Sequence, residues 1–185
     1  MKADEIAASI KSAKISNKPV LIAIEGFGGS GKSTFAGQLT EALGDAAVIG
    51  IDDFIVKEKM DEPAWEGSFD LMRLKDEVLI PASRGQTIRY HKLLWATNNL
   101  SEAINVPFAS YLIVEGISSY HPDIADYYDY KIWIGTPIEV AKARGQARDA
   151  GNENESKWDV WAQSDLDYQH KYHPEQAADF TVENK

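Results

Sequence analysis

The feature that most constrains this chain is a glycine-rich turn that lies between an apolar run and an amphipathic stretch. The apolar run Val20–Ile24 predicts a short buried strand, and the turn after it reads Gly-Phe-Gly-Gly-Ser-Gly-Lys-Ser over residues 26–33. Phe35, Leu39 and Leu43 then recur at helical spacing. A strand, a Gly-x-x-x-x-Gly-Lys-Ser turn and a helix, in that order, form the context that the Walker A motif, or P-loop, requires.

The residue types in this turn suit the binding of a nucleoside triphosphate. Glycines let successive backbone N–H groups point inward as a nest for anions, and the start of the helix adds the positive end of its dipole. We expect Lys32 to reach the β- and γ-phosphates and the Ser33 hydroxyl to hold Mg²⁺. The predicted nucleotide-binding residues are Gly26, Phe27, Gly28, Gly29, Ser30, Gly31, Lys32, Ser33 and Thr34.

Strand-like runs alternate with helical patterns along the rest of the chain. Further strands are predicted over 46–51, 111–114, 131–134 and 178–182, and helices over 3–13, 69–78, 137–149 and 157–171. The helix that begins at residue 69 is expected to end before Pro81. Residues 54–69 are interpreted as an excursion over the site, 86–91 as a short extended segment, and 92–109 as ambiguous. The alternation predicts an α/β fold with a parallel sheet covered on both faces, as one domain over 1–185.

Composition narrows the class of function. The formal net charge of −10 argues against a broad nucleic-acid surface, and the absence of cysteine removes disulfides, thiolate catalysis and Cys-based zinc sites. The N-terminal residues lack the apolar core of a signal peptide, and no apolar run approaches the length of a membrane span. We therefore expect a cytoplasmic protein with a small-molecule partner, no nucleic acid and no membrane. Homo-oligomerisation is left open.

Two acidic residues follow the second predicted strand, at the edge of the sheet where open α/β folds bind ligands. A kinase that acts on a hydroxyl needs a carboxylate near the acceptor oxygen to take or orient its proton. We predict this role for Asp52, while Asp53 contacts substrate or shifts the pKa of its neighbour by like-charge coupling. A one-residue change of register would exchange the two, and a simple turn or cap is the alternative interpretation.

Glu115 ends the third predicted strand, in the run Leu-Ile-Val-Glu-Gly. An acidic residue in this position typically holds Mg²⁺, directly or through water, as the Walker B carboxylate does. The predicted metal ligands are therefore Ser33 and Glu115. A surface glutamate beside a glycine turn is the alternative.

Arg144 and Arg148 are four residues apart on a predicted helix, so both guanidinium groups face one way. They precede the polar stretch 151–156, which suits a hinged lid over about 144–160. Arginine over a transferring phosphate stabilises the charge that develops there. The alternative is a solvated helix face that pairs with Asp149 or Glu139.

These segments, together with Ile-Asp-Asp-Phe from residue 51 and the closing Ala-Ala-Asp-Phe-Thr-Val-Glu-Asn, resemble the uridine kinase family of P-loop kinases. That family includes relatives of nicotinamide riboside kinase, pantothenate kinase and phosphoribulokinase. The resemblance implies a three-layer P-loop NTPase fold of the NMP-kinase type, with a central parallel sheet flanked by helices and a small helical lid. It also implies an enzyme that uses ATP and Mg²⁺ and transfers the γ-phosphate to a hydroxyl of a small metabolite, such as a nucleoside or ribosyl-type compound.

The resemblance also implies residue roles. Asp52 matches the catalytic base, Arg144 and Arg148 match the lid arginines, and Lys32 completes the predicted catalytic set. Tyr90-His91 falls where nucleoside kinases carry a Tyr-Asp pair that touches substrate, and Phe54 belongs to the motif that begins with the base. The predicted substrate-binding residues are Asp53, Phe54, Tyr90 and His91.

The chain departs from the family pattern at two positions, because Ile55 replaces an aromatic residue and His91 replaces the expected Asp. These departures leave the acceptor unassigned. One alternative function is a nucleotide-controlled regulatory or assembly module, and another is a relative that binds nucleotide but has lost its acceptor site. The absence of an Asn-Lys-x-Asp run favours ATP over GTP.

Overall fold

A computed structural model describes residues 1–12 and 17–185. Its helices are α1 Ala3–Lys11, α2 Lys32–Leu43, α3 Leu71–Leu74, α4 Ile80–Ser83, α5 Ile138–Arg148, α6 Trp158–Tyr172 and α7 Pro174–Ala177. Its strands are β1 Val20–Glu25, β2 Ala46–Gly50, β3 Ile88–Tyr90, β4 Leu93–Leu94, β5 Asn99–Leu100, β6 Ile104–Val106, β7 Tyr111–Glu115, β8 Tyr130–Gly135 and β9 Phe180–Glu183. The predicted first helix included Ala13, which lies outside the described residues.

A five-stranded sheet in the order β2-β7-β1-β8-β9 forms the centre of the fold, and all of its pairings are parallel. The predicted parallel sheet is thus confirmed. The registers place Glu115, the last residue of β7, opposite both Ile24 and Gly50. The ends of β1, β2 and β7 therefore meet at one edge of the sheet, which is where the P-loop and Asp52 emerge.

Apolar clusters cover both faces of this sheet. On one face, α1 and α2 pack through Ile6, Ile10, Phe35 and Leu39, all of which are buried. On the other face, α3, α4 and the first turn after β2 pack beneath β7. β1 lies in the middle of the sheet and is buried from Leu21 onward, whereas β2 is an edge strand whose Val48 is exposed. The sequence had predicted a buried strand there, but an edge strand has a neighbour on one side only.

The prediction that the helix from residue 69 would end before Pro81 is wrong, because the helix that begins at Leu71 continues past this proline. α3 continues through a π-helical turn, Lys75–Leu79, into α4, which contains the proline. In that turn Ile80 N–H bonds to Lys75 O, five residues back. A proline ring normally clashes with the carbonyl four residues before it. The wider π turn directly ahead of Pro81 gives the ring room, so the chain stays helical.

The region that the sequence left ambiguous contains short antiparallel pairs. β3 pairs with β6, and β4 pairs with β5, so residues 88–106 form nested hairpins beside the parallel sheet. The expected extended segment over 86–91 corresponds to β3. None of the helices in residues 1–12 and 17–185 is long and apolar enough to cross a membrane.

Candidate active site

The P-loop connects β1 to α2 at the carboxyl edge of the sheet. Gly29 and Gly31 have φ values of 77° and 95°, which lie in the region that favours glycine. A Cβ at Gly29 would lie 2.1 Å from the carbonyl oxygen of Ala141 in α5, so a side chain at this position would collide with backbone. Gly29 is therefore required both by the curl of the loop and by the close approach of α5. Within the loop, the Gly28 N–H donates to Asp165 Oδ2 and the Ser30 N–H donates to Phe27 O.

Lys32 and Ser33 open α2 and reach in different directions. Lys32 Nζ donates to the carbonyl oxygens of Gly26 and Phe27, each at 2.9 Å. Ser33 Oγ donates to Glu115 Oε1 at 3.0 Å. The two predicted metal ligands are thus direct neighbours, although they come from different elements of the fold.

Asp52 and Asp53 lie in the 3₁₀ turn Ile51–Phe54 after β2, and their side chains diverge. Asp52 lines a cleft that opens in front of the P-loop. Its side chain is exposed to that cleft, and desolvation by the surrounding protein raises the pKa of its carboxyl. The ammonium of Lys32 lowers this pKa, the charge of Asp53 raises it, and the guanidinium of Arg148 lowers it. Asp53 instead accepts a 2.9 Å hydrogen bond from the hydroxyl of Tyr90.

Glu115 is half-buried beside the P-loop. Desolvation raises the pKa of its carboxyl, while Lys32 and the Ser33 hydroxyl lower it and the charge of Asp52 raises it. Carboxylate and hydroxyl oxygens are the ligands that Mg²⁺ prefers, and this ion usually takes only one or two protein ligands beside phosphate and water. Ser33 and Glu115 therefore fit the donor set of a Mg²⁺ site. Within residues 1–12 and 17–185, no group of three or more histidine or acidic side chains could hold a metal by itself.

Arg144 and Arg148 lie at the end of α5 and both line the cleft. Arg148 binds the carboxylate of Asp149 through Nε at 2.9 Å, and its guanidinium lies 5.5 Å from the ring of Trp158. The Asp149 carboxylate and the more distant charge of Asp52 raise the pKa of Arg148, although desolvation opposes them. Arg144 donates to the carbonyl of Lys185 at 3.2 Å. Arg148 thus pairs with Asp149, as the alternative interpretation expected, and both arginines also border the cleft; their role over a transferring phosphate stays a prediction.

The cleft has a volume of about 660 Å³ and extends from the P-loop to the segment 55–69 and to α6. A second hollow of about 900 Å³ lies on the other side of Arg144, which borders both. It is bounded by the P-loop glycines, by Thr34 and Gln38 of α2, and by Asn184 after β9. Residues of the P-loop therefore line both open volumes, and Arg144 borders both as well.

Comparison with solved structures identifies proteins of the same architecture. A protein described as a possible uridine kinase from Bacillus stearothermophilus aligns with a TM-score of 0.73 and 16% identity, over 97% of this chain and 96% of that one. A protein proposed to be a fructose transport system kinase, from a Silicibacter species, gives 0.72 and 19%, over 98% and 99%. D-glycerate 3-kinase from Cryptococcus neoformans gives 0.62 and 12%, over 92% and 86%.

The chain has the uridine kinase-like fold. This confirms, at the level of the fold, the resemblance that the sequence motifs indicated, and with it the P-loop kinase architecture. No family model matches the sequence.

Within the uridine kinase-like fold, the four predicted substrate-binding residues lie outside the lining of the cleft. The ring of Phe54 is fully buried and stacks on Tyr90, with 5.7 Å between the ring centroids. The guanidinium carbon of Arg73 lies 4.5 Å from the centroid of the Phe54 ring. The carbonyl oxygens of Asp53 and His91 both accept from Arg73. The His91 ring lies 3.2 Å from Glu77. These side chains have partners within the protein, and their contact with a substrate stays a prediction.

Sequence reasoning missed Asp165 and Trp158 of α6, both of which line the cleft. Asp165 is buried, and Trp158 packs against Gly145 and Gly28 and donates from its indole to Asp149 at 2.9 Å. The sequence contains a pattern that indicates this carboxylate, because Trp158, Asp165 and Tyr168 are spaced by seven and three residues and so lie on one face of the helix. An acidic residue on the apolar face of a helix indicates a buried, partnered carboxylate.

Proposed function

We propose that this protein is an ATP-dependent kinase that transfers the γ-phosphate to a hydroxyl of a small metabolite, such as a nucleoside or ribosyl-type compound. The observation that carries the proposal is the convergence of Lys32, Asp52 and Glu115 at the mouth of the P-loop. The ammonium of Lys32 influences both carboxylates, so the three charges act within one site. The three structural neighbours are described as kinases, which supports the same reaction type.

The donor side would be the P-loop and the hollow beyond Arg144. The nest of N–H groups and the start of α2 suit the β- and γ-phosphates. In this proposal Lys32 exchanges its two carbonyl partners for phosphate oxygens. The hollow beside Thr34, Gln38 and Asn184 adjoins the same loop and has room for the nucleoside part of ATP. Asn184 is tied to the loop, since its amide donates to Ser30 O at 2.7 Å.

Ser33 and Glu115 would hold Mg²⁺ at this corner. The ion, when bound, neutralises phosphate charge and polarises the transferring group. Ser33 contributes its hydroxyl from the first turn of α2, and Glu115 its carboxylate from the end of β7. Their present hydrogen bond keeps both oxygens aimed at one point.

Asp52 would act as the base toward the acceptor. The acceptor oxygen forms a bond to the γ-phosphorus as the bond from that phosphorus to ADP breaks, and the hydroxyl proton passes to Asp52. A raised pKa brings this carboxylate closer to the working pH and makes it a better proton acceptor than an aspartate of ordinary pKa. Asp52 faces the cleft whereas Asp53 does not, which favours Asp52 for this role.

The segment 144–160 would serve as the lid. Its arginines border the cleft, and the loop after α5 contains Gly151 at a φ of 82°, a conformation suited to a hinge. Closure would bring Arg144 and Arg148 toward the charge that develops on the transferring phosphoryl group and would exclude water.

The test is ATP turnover with a panel of nucleosides, sugars and hydroxy acids, measured for the protein and for the Asp52→Asn variant. We expect acceptor-dependent ADP formation, which the substitution lowers by about 10²–10⁴-fold while MgATP still binds. Turnover that survives the substitution would remove Asp52 from its role. Nucleotide binding without turnover on any acceptor would favour the alternative, a nucleotide-controlled module.

A further inference from the structure

Asp165 is a buried carboxylate that connects three parts of the cleft. Its side chain belongs to α6 and is 2% exposed. Oδ2 accepts from the backbone N–H of Gly28 in the P-loop, and Oδ1 accepts from the indole N–H of Trp65, both at 2.7 Å. Each carboxylate oxygen has two acceptor positions, so each keeps one available after these bonds. Because Asp165 lines the cleft, a molecule bound there can donate a hydrogen bond to one of these free acceptor positions.

Trp65 is held in place by unusual local structure. Ala64 and Trp65 both have a φ of 53°, a left-handed conformation that side-chain-bearing residues rarely adopt and that costs of order 1–3 kcal/mol each. The indole packs against the rings of Phe69 and Trp161, at 5.9 and 6.4 Å between centroids. The strained turn thus presents a flat aromatic surface to the cleft, directly beside a carboxylate.

The segment that carries this turn is fastened along α6. Ser164 Oγ donates to Glu62 O at 3.3 Å, and Lys171 Nζ lies 2.7 Å from Glu66, on either side of the Trp65–Asp165 hydrogen bond. α6 and the segment 57–69 therefore form one wall of the cleft. This wall meets the P-loop through Asp165 and Gly28.

Next to Asp165 the wall disfavours an anionic acceptor, because a negative group would have to enter beside a carboxylate already desolvated by burial. Lys32, Arg144 and Arg148 also line the cleft, but they belong to the start of α2 and to α5, which the proposed function assigns to the phosphates of ATP. The two lysines of this part of the lining already have protein partners. Lys57 Nζ donates to Trp95 O at 3.2 Å, and Lys157 Nζ lies 3.6 Å from Asp61. The deeper surface offers aromatic rings and carboxylate acceptors, which suit a ring that carries hydroxyl groups.

We propose that Asp165 and Trp65 form the specificity site for an uncharged acceptor, in which Asp165 accepts a hydrogen bond from a second hydroxyl and the indole covers the ring. The proposal rests on the proposed kinase function. In this arrangement one hydroxyl of the acceptor faces Asp52 and reacts, while another binds Asp165 and fixes the orientation of the molecule. A site that hydrogen-bonds a substrate hydroxyl strongly rejects analogues that lack it, because its own polar group is then left unpaired.

The experiment compares neutral sugars and ribonucleosides with hydroxy acids of similar size, such as gluconate and glycerate. We expect neutral acceptors to be phosphorylated in preference to the acids. Asp165→Asn should raise the KM for the best acceptor about 10- to 100-fold, the range expected for a hydrogen bond to a charged group. The Kd for MgATP and the kcat should change little. Trp65→Phe, which keeps the ring and removes the N–H, should raise the same KM less.

Two controls separate this role from a structural one. Asp167→Asn changes an aspartate on the same helix whose carboxylate binds Gln163 at the surface, and it should leave the acceptor KM unchanged. The monodeoxy analogues of the best acceptor should include one on which wild type and Asp165→Asn have equal KM values, because that analogue lacks the hydroxyl that Asp165 binds.

The outcomes distinguish the two proposals. Phosphorylation of anionic acceptors in preference to neutral ones, or an acceptor KM that Asp165→Asn leaves unchanged, would overturn the specificity site while the kinase stands. If Asp165→Asn weakens MgATP binding as much as acceptor binding, Asp165 only shapes the P-loop and the proposal is wrong. Nucleotide binding with no phosphorylation of any acceptor would overturn both.

Discussion

The hydroxyl of Ser33 and the carboxylate of Glu115 are joined by a 3.0 Å hydrogen bond between the first turn of α2 and the last residue of β7. The contact exists because β7 pairs directly with β1 and places Glu115 opposite Ile24, two residues before the P-loop begins. Two side-chain oxygens from distant parts of the chain are therefore set side by side. This relationship is the structural basis for expecting Mg²⁺ at this corner of the site.

Glu115→Gln should weaken the dependence on Mg²⁺ more than the binding of nucleotide. The substitution keeps the shape of the side chain and an acceptor for the Ser33 hydroxyl, but it removes the negative charge that attracts a hard cation. We expect kcat at limiting Mg²⁺ to fall by at least about tenfold, a loss of about 1.4 kcal/mol in transition-state stabilisation, and to recover in part at high Mg²⁺. Activity titrations with Mg²⁺ would measure this, with the exposed Glu102→Gln as control. Equal Mg²⁺ curves for both variants would contradict the assignment.

The pH dependence of turnover should carry the signature of Asp52. A general base works only when deprotonated, so the rate should fall as the pH drops through the pKa of Asp52. Desolvation raises that pKa above the ordinary value of 3.8, and the charge of Asp53 raises it further. Asp53→Asn removes this like charge, and the acidic limb of the kcat profile should therefore move to lower pH. An acidic limb that persists in Asp52→Asn would assign the ionisation to another group.

A pair of helical glycines gives a matched test of how tightly Trp158 packs against α5. A Cβ at Gly145 would lie 2.1 Å from the ring of Trp158, whereas a Cβ at Gly37 in α2 meets nothing within 4 Å. Gly145→Ala should lower the free energy of unfolding by about 1–3 kcal/mol, because it displaces a packed ring from the wall of the cleft. Gly37→Ala should raise it by about 0.5–1 kcal/mol, as expected for alanine at an exposed helical position. Denaturant unfolding measures both, and a stabilised Gly145→Ala variant would show that Trp158 is loosely packed.

Stability should fall with rising pH through the titration of Glu25. This residue ends β1 with no solvent exposure, and burial raises its pKa from 4.5 to about 8, although the Tyr120 N–H and Lys32 act in the opposite direction. Between these values the folded state holds a proton that the unfolded chain has released. The free energy of unfolding therefore decreases as pH rises through this window, by up to about 1.4 kcal/mol per pH unit for one proton.

Glu25→Gln tests this prediction, because the amide cannot ionise and keeps an acceptor for the Tyr120 N–H. Unfolding curves at pH 5, 6, 7 and 8 should show a shallower loss of stability in the variant than in the wild-type protein. Parallel pH dependences would mean that Glu25 does not set this slope.

The secondary structure of the parallel sheet could be predicted because β1, β2 and β7 are continuous apolar runs that end in a glycine or an acidic residue. The helix across Pro81 could not be predicted, since its continuation depends on a π turn that the local residue propensities do not indicate. The edge position of β2 also escaped prediction. The order of pairing decides which strand lies outermost, and the residues of a short apolar strand do not specify which strands it pairs with.

In the candidate site, too, some features could be predicted from the sequence and others depend on the tertiary structure. The P-loop and the strand ends that carry Asp52 and Glu115 could be located from the residue pattern, because a phosphate-binding turn depends on a contiguous glycine pattern and on its place before a helix. Only the tertiary structure decided that Asp52 faces the cleft while Asp53 turns to Tyr90, and that Asp165 joins Gly28 to Trp65. Such contacts join residues as many as 137 positions apart. Their geometry is set by the packing of α6 and the segment 57–69 against the P-loop, and not by any local pattern.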